Sequence, residues 1–341
     1  MRRVSQIFQN GKTDYEFNAT FEDLNKNANG QKIIVITDEN IFRLQQQRLK
    51  DFTCLVIPPG ENHKTQSTVT SILQGLLKAE ADKSTVLVGL GGGVVTDMAG
   101  FAASIYKRGI PLILAPTSLL AMVDAAIGGK NGINLGKFKN MAGTIYPPAK
   151  IIFDYSFLKT LPKEEWVNGF AEIIKHACIQ STSLFEFLEQ HCLEDFIADA
   201  NRTAALIEQN VQIKTQIVLE DEREEHKRKL LNFGHSIGHA IESSLHIPHG
   251  HAISIGMVWA ARFSEEINMF YSAERERLVK LLIKYGLPVN AGFNKAEIWE
   301  KLIMDKKRQQ DNIDFILLDK IGEGRVQKIP LVQLKDMLET F

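Results

Sequence analysis

Val86-Leu87-Val88 runs into Gly89-Leu90-Gly91-Gly92-Gly93-Val94-Val95-Thr96-Asp97, an apolar β-branched strand that meets a glycine cluster and opens a helix. Backbone without side chains lets a pyrophosphate approach, and amides at the helix N-terminus favour its charge, so the segment reads as a dinucleotide cradle. The spacing is not GxGxxG, and such a cluster also serves as a plain tight turn. Asp97 likewise has two readings, since an acid in a first helical turn stabilises the helix dipole without touching a ligand.

Similar runs recur on either side, at Ile33 to Ile36, Cys54 to Ile57, Leu112 to Leu114 and Ile151 to Phe153, separated by stretches of helical period. Apolar strands without strict alternation suit a parallel sheet covered on both faces, with ligand loops at its carboxyl edge. From about Pro162 the pattern becomes long and helical, over 166–179, 199–219, 236–245 and 252–268. Asp314 to Leu318, Gly322-Glu323-Gly324 and Arg325 to Ile329 predict a hairpin, followed by a short amphipathic helix. The expected organisation is an α/β dinucleotide-binding domain over 1–160 and an all-α domain with a C-terminal hairpin over 161–341, changing between Asp154 and Pro162.

The 341 residues are 44% apolar and 24% charged, which excludes a disordered chain. Forty Lys and Arg against 41 Asp and Glu give a net charge of -1 and no reason to expect nucleic acid or an anionic membrane as partner. Cys54, Cys178 and Cys192 form no CxxC pair, which argues for a reducing compartment. Arg2-Arg3 is not followed by the apolar run of a secretory signal, and the charge-free stretch between Arg108 and Asp124 is shorter than the ~20 residues of a spanning helix. The expectation is a cytoplasmic protein.

Two histidines four residues apart, His235 and His239 in Leu231-Asn232-Phe233-Gly234-His235-Ser236-Ile237-Gly238-His239, project from nearly one helix face. Gly234 and Gly238 leave room beside them. Ser236 stands where HExxH has its glutamate, so a metalloprotease reading is poor. Alone, such a pair also reads as structural or surface-exposed. Company changes the reading: His249-Gly250-His251 follows, and Glu172 lies in an apolar helix where an unpartnered carboxylate is costly. Two histidines and a carboxylate make the open three-ligand set of a catalytic zinc. Lys130, Lys139 with Asn140, Lys175, Lys214, Arg228, Asn232 and the Lys306-Lys307 pair surround this set in the sequence. Singly each reads as a solvated charge, and Arg228 as an i, i+4 partner of Glu224. Jointly they suit a small acid carrying carboxylate and phosphate.

On these pieces the chain resembles the 3-dehydroquinate synthases of the shikimate pathway, within the sugar-phosphate cyclases. The matching stretches are Pro59 to Lys64, Gly91 to Gly100, Tyr106 to Gly109, Pro116 to Asp124, Ile127 to Asn134, Lys139 to Met141, Gly169 to Lys175, Asp221 to Glu224, Arg228 to Glu242, His249-Gly250 and Met304 to Lys307. The resemblance implies an N-terminal dinucleotide-binding α/β domain, a helical C-terminal domain and an active site in the cleft between them. It implies NAD contacts at Asp38, Asn40, Glu61 to Lys64, Gly92, Gly93, Val94, Asp97, Thr117, Ser118, Lys139, Phe157, Leu158, Lys159, Thr160 and Asn168. Implied ligands of zinc or cobalt are Glu172, His235 and His249. Implied substrate contacts are Asp124, Lys130, Asn140, Lys175, Lys214, Arg228, Asn232 and a lysine of the Lys306-Lys307 pair. His239 and Glu224 would move protons, with Lys175 and Asp124 also in the catalytic set. Arg108 would reach the phosphate site of a partner subunit, so a homodimer is implied.

The implied reaction converts 3-deoxy-D-arabino-heptulosonate 7-phosphate to 3-dehydroquinate and phosphate, with NAD regenerated in each turnover. Two departures stand out. His251 follows His249-Gly250 where the family commonly has a carboxylate, so it competes as a ligand, and Ala125-Ala126 replaces the usual Ser-Ser. The rivals are a cyclase of the valiolone or deoxy-inosose type, a metal-dependent polyol dehydrogenase, and a non-catalytic binder on the same fold.

Overall fold

The computed structural model of the chain describes residues 1–26, 30–136, 138–267, 270–306 and 311–340. They divide into two compact units. The first is Met1–Pro162 with Ala204–Val211, and the second is Lys163–Thr203 with Gln212–Phe341. The main segment of the first unit ends at Pro162, and part of one long helix, Ala200–Glu220, groups with that unit.

The first unit is built on a seven-stranded sheet of β1 (Arg2–Phe8), β2 (Gly11–Phe17), β3 (Ile33–Asp38), β4 (Thr53–Ile57), β5 (Val86–Gly91), β6 (Leu112–Pro116) and β9 (Lys150–Phe153). Their order is β1-β2-β9-β6-β5-β3-β4, parallel from β2 to β4 and closed at one edge by antiparallel β1. Every residue of β5 is buried, which is why it reads as a continuous apolar run. Val35, Val88, Leu90, Ala115 and Ile152 pack into one core with Phe21 and Phe157. A separate antiparallel pair, β7 (Lys130–Leu135) and β8 (Phe138–Ile145), follows β6.

The β1–β2 hairpin was not expected, because β2 buries Asp14 and Glu16 among its apolar residues. Partners make this burial tolerable. Ser5 donates to Asp14 over 2.5 Å, Lys12 lies 3.0 Å from it, and Lys150 lies 2.9 Å from Glu16.

The second unit is helical, with the helices Lys163–Gln180, His235–Leu245, His249–Glu266 and Ser272–Lys284 among its main members. The hairpin of β10 (Asn312–Lys320) and β11 (Glu323–Pro330) is followed by the helix Leu331–Thr340. Ser264 ties the hairpin to the helices by accepting the Leu318 amide over 2.9 Å. The architecture is thus a parallel α/β part followed by a helical part, as the two hydrophobic periods imply. No described helix is long and apolar enough to cross a membrane.

Candidate functional site

Taken in chain order, the strands β4-β3-β5-β6-β9 run 2-1-3-4-5, so the winding reverses between β3 and β5. Ligands of open parallel sheets bind beyond the carboxyl ends of the strands at such a reversal. Asp38 ends β3 and caps the helix Glu39–Leu44, its Oδ1 accepting the amides of Asn40 (2.9 Å) and Ile41 (3.0 Å). β5 ends at the glycine cluster, and Gly92 caps the helix Gly93–Ile105 without a side chain. A Cβ on Gly91 would meet Val95 at 2.6 Å, so only glycine lets the strand and that helix approach this closely. The Thr117 amide donates to the Gly91 carbonyl over 2.9 Å, bringing Thr117 and Ser118 beside the same turn.

Around this edge lies a polar network. Lys64 is 4% exposed, and its Nζ donates to Asp97 Oδ2 and Asn140 Oδ1, each at 2.5 Å. Asp97 lies past the first turn of the Gly93 helix, so it is no dipole cap, and it neutralises a buried lysine. Glu61 accepts from Asn134 Nδ2 over 2.9 Å, and Asn134 accepts the Asn140 amide at the same distance. Lys139 is half-buried on β8, whereas Lys130 opens β7 exposed. Phe157 and Leu158, expected at the dinucleotide, bury their side chains, while Lys159 and Thr160 are exposed. Val94 lies in the first turn of the Gly93 helix. Asp124 sits in the π-helical turn Ala121–Ala125, an irregularity common at functional sites. Arg108 is exposed, and Lys107, Arg108 and Gly109 take φ of +49°, +64° and +111°, a run of left-handed backbone that is costly outside glycine.

In the second unit, the helices carrying His235 and His249 cross at backbone contact. A Cβ on Gly256 would lie 2.0 Å from the Gly234 carbonyl oxygen, and one on Gly238 would lie 3.0 Å from the Ala252 oxygen. Gly234 and Gly238 are thus there for close helix packing rather than to leave room beside the histidines. The start of the His249 helix is tied to the helix Lys163–Gln180, since the Gly250 amide donates to Asn168 Oδ1 over 2.5 Å. Asn168, expected at the dinucleotide, spends that oxygen inside the second unit.

These contacts gather three donor atoms. Glu172 is fully buried, and its Oε1 lies 3.2 Å from His249 Nε2 and 3.5 Å from His235 Nε2. The donors of all three residues fall within 4.8 Å of one another. Ligand atoms on a tetrahedral zinc at ordinary bond lengths are separated by about 3.3 Å, so the set fits such an ion. Both rings are turned the same way: His235 Nδ1 lies 3.1 Å from the Phe233 carbonyl and His249 Nδ1 lies 3.3 Å from Glu242 Oε2. Burial pushes His235 well below the ordinary imidazole range, helped by the charge of Lys175. Burial acts in the same direction on His249, but hydrogen bonds to Glu172 and Glu242 outweigh it and raise the ring to about 9. His251 is half-buried and belongs to none of the metal-capable groups among the described residues.

His239 joins the cluster, its ring centroid 5.1 Å from that of His235 and 6.0 Å from that of His249. Lys175 ion-pairs with Glu172 one turn along the same helix. Lys175, Lys214 and Arg228 are 1%, 7% and 2% exposed, a concentration of buried cations unusual for stability alone. Glu224 and Arg228 do not stand one turn apart on a helix, as the plain surface-charge reading of Arg228 would have them. Glu224 has φ +62° in a turn, and the 3₁₀ helix Lys227–Asn232 begins after it. Arg228 donates from Nη1 to the Glu222 carbonyl over 2.7 Å, and Asn232 donates to Glu224. Lys307 lies outside the described residues, as does the side chain of Lys306.

Two family profiles match in tandem, one described as 3-dehydroquinate synthase N-terminal over residues 54–168 and one as 3-dehydroquinate synthase C-terminal over 169–308. A 3-dehydroquinate synthase from Campylobacter concisus is 38% identical over 320 residues, covering 91% of each chain. Among solved structures, a 2-epi-5-epi-valiolone synthase from Streptomyces hygroscopicus with NAD+ and Zn2+ bound superposes with a TM-score of 0.89 at 26% identity, covering 99% of each chain. A 2-deoxy-scyllo-inosose synthase complexed with carbaglucose-6-phosphate, NAD+ and Co2+ gives 0.87 at 26% identity over 99% of this chain and 100% of that one. With a curated relative this similar along nearly its whole length, and with both halves matched in order, the chain belongs to the 3-dehydroquinate synthase family.

Proposed function

We propose that the chain converts 3-deoxy-D-arabino-heptulosonate 7-phosphate to 3-dehydroquinate and phosphate, using NAD and a divalent metal ion without net oxidation. The observation that carries the metal part is the Glu172, His235 and His249 donor set with its 3.2 and 3.5 Å separations. The winding reversal between β3 and β5, with Asp38 at one strand end and the glycine turn at the other, supports the dinucleotide part. NAD supplies a reversible hydride acceptor, and zinc or cobalt supplies a Lewis acid that lowers the pKa of a substrate hydroxyl.

The chain's own residues do the rest. Lys64, Asp97, Glu61, Asn134 and Asn140 fix the polar wall of the dinucleotide edge through their mutual hydrogen bonds. Lys175, Lys214 and Arg228 provide buried positive charge for the carboxylate and phosphate of the substrate, with Asn232 and Lys130 adding donors. Asp124 presents a carboxylate from its π-helical turn. His239 holds and releases a proton beside the proposed metal ligands, and Glu224, held by Asn232, relays protons through its carboxylate.

We further propose a homodimer in which Arg108 serves the partner's site. Its exposed left-handed backbone supports this, as do the exposed Leu135, Phe138, Met141 and Ile145 on β7 and β8. Three free cysteines, with the Cys54 and Cys178 thiols pushed up by burial, suit a reducing cytoplasm.

The test is to incubate purified protein with the heptulosonate phosphate, NAD and zinc. Dehydroquinate and inorganic phosphate should appear in equal amounts with no build-up of NADH. NADH accumulating in step with product would mark a polyol dehydrogenase, and phosphate released only from a different sugar phosphate would mark another cyclase.

A further inference from the structure

We propose that Glu242 is a positioning residue for the metal centre, holding His249 by Nδ1 so that Nε2 is presented to the ion. The inference rests on the metal-centre reading above. Glu242 follows His235 at i+7 and His239 at i+3 on one helix, so all three share a face. It is 7% exposed, and its Oε2 lies 3.3 Å from His249 Nδ1. A carboxylate is rarely this buried without a task for its charge.

Glu242 also falls in a second metal-capable group with His239 and His249, but toward the Glu172 site it sits on the far side of the His249 ring. It meets the Nδ1 side of His249, whereas Nε2 of the same ring faces Glu172 at 3.2 Å. A carboxylate on the far nitrogen fixes the tautomer, locks the ring plane and makes the near nitrogen a stronger donor. His235 is held at the equivalent nitrogen by the Phe233 carbonyl, so the two rings are oriented by different means. The residue two places after His249 is His251, which cannot act as an anion there. Here the anion comes instead from the preceding helix.

Zinc affinity decides the matter, measured by competition with a chelating dye on wild type, E242Q, E242A and H249A. Wild type should bind one zinc and H249A should lose it. E242Q should bind about 10-fold more weakly and E242A up to about 100-fold, the range seen when such partners are removed. The visible absorption of the cobalt-loaded protein should shift in E242Q, while the metal-free melting temperature of that near-isosteric variant stays at the wild-type value. Wild-type zinc affinity and cobalt spectra in both Glu242 variants, or a lowered metal-free melting point with unchanged affinity, would overturn the role given to Glu242 and leave the metal centre standing. A wild type that binds no zinc would overturn both.

Discussion

Replacing Gly256 by alanine tests whether backbone contact between two helices builds the proposed metal centre. The new Cβ would sit 2.0 Å from the Gly234 carbonyl oxygen and 2.9 Å from the Gly238 nitrogen, with no flexible side chain to give way. Ordinary contact begins at 3.4 Å, so the helices must part by about 1.4 Å. Overpacking of this kind costs about 1–3 kcal/mol, or a fall in melting temperature of roughly 2–12 °C for a unit of this size. Metal sites tolerate only about 0.5 Å of ligand displacement, so His235 and His249 can no longer both stand at their present distances from Glu172, and zinc affinity should drop by about 100-fold. Gly292→Ala is the control, since nothing lies within 4 Å of its added Cβ. Melting curves and chelator competition read the two effects. A G256A protein that melts with wild type and holds zinc as tightly would refute the claim that this crossing sets the ligand geometry.

Glu172→Gln and His235→Ala should each abolish phosphate release, and dialysis against a strong chelator should do the same to wild type until zinc is restored; turnover in E172Q would remove that residue from the metal site. Lys64→Ala removes the buried cation beside Asp97, so NAD affinity, followed by fluorescence quenching, should weaken at least tenfold while zinc affinity holds. Burial alone would raise the Asp154 carboxyl, but Ser156, Arg48 and the Phe21 amide hold it below the usual range. A carboxyl lowered in the folded state contributes stability above its unfolded pKa of about 4, and that stability is lost as pH falls through the folded value. Asp154→Asn should therefore cost about 1–2 kcal/mol at pH 7, moderated by the solvent that reaches Arg48. Its deficit should shrink below pH 4, as urea midpoints across the range will show.

Strands β3 to β6 and β9 were legible because a parallel sheet buried on both faces leaves unbroken apolar runs. The β1–β2 hairpin was not, since Asp14 and Glu16 interrupt the pattern and Lys150, the partner of Glu16, lies far along the chain. Asn10-Gly11 at its turn was a signal that could have found it. At the site, the i, i+4 spacing put His235 and His239 on one face, and continuing to i+7 would have added Glu242. Which ring faces Glu172 is fixed by tertiary contacts at Gly234, Gly238 and Gly256, and no local period encodes them. The glycines were noticed, but their work was misread. Glu224 and Arg228 show the opposite failure, where a helical spacing falls on a turn.

Both imidazoles, Glu242 and the packing glycines lie within 234–256, whereas Glu172 enters from about sixty residues upstream. An ion held by this set is a clasp between a local helical pair and a distant segment, and it closes a long loop at one point. Saturating metal should therefore slow proteolysis of the second unit and raise its resistance to urea by mass action. Zinc starvation of a cell would then shorten the lifetime of the polypeptide as well as stop its turnover.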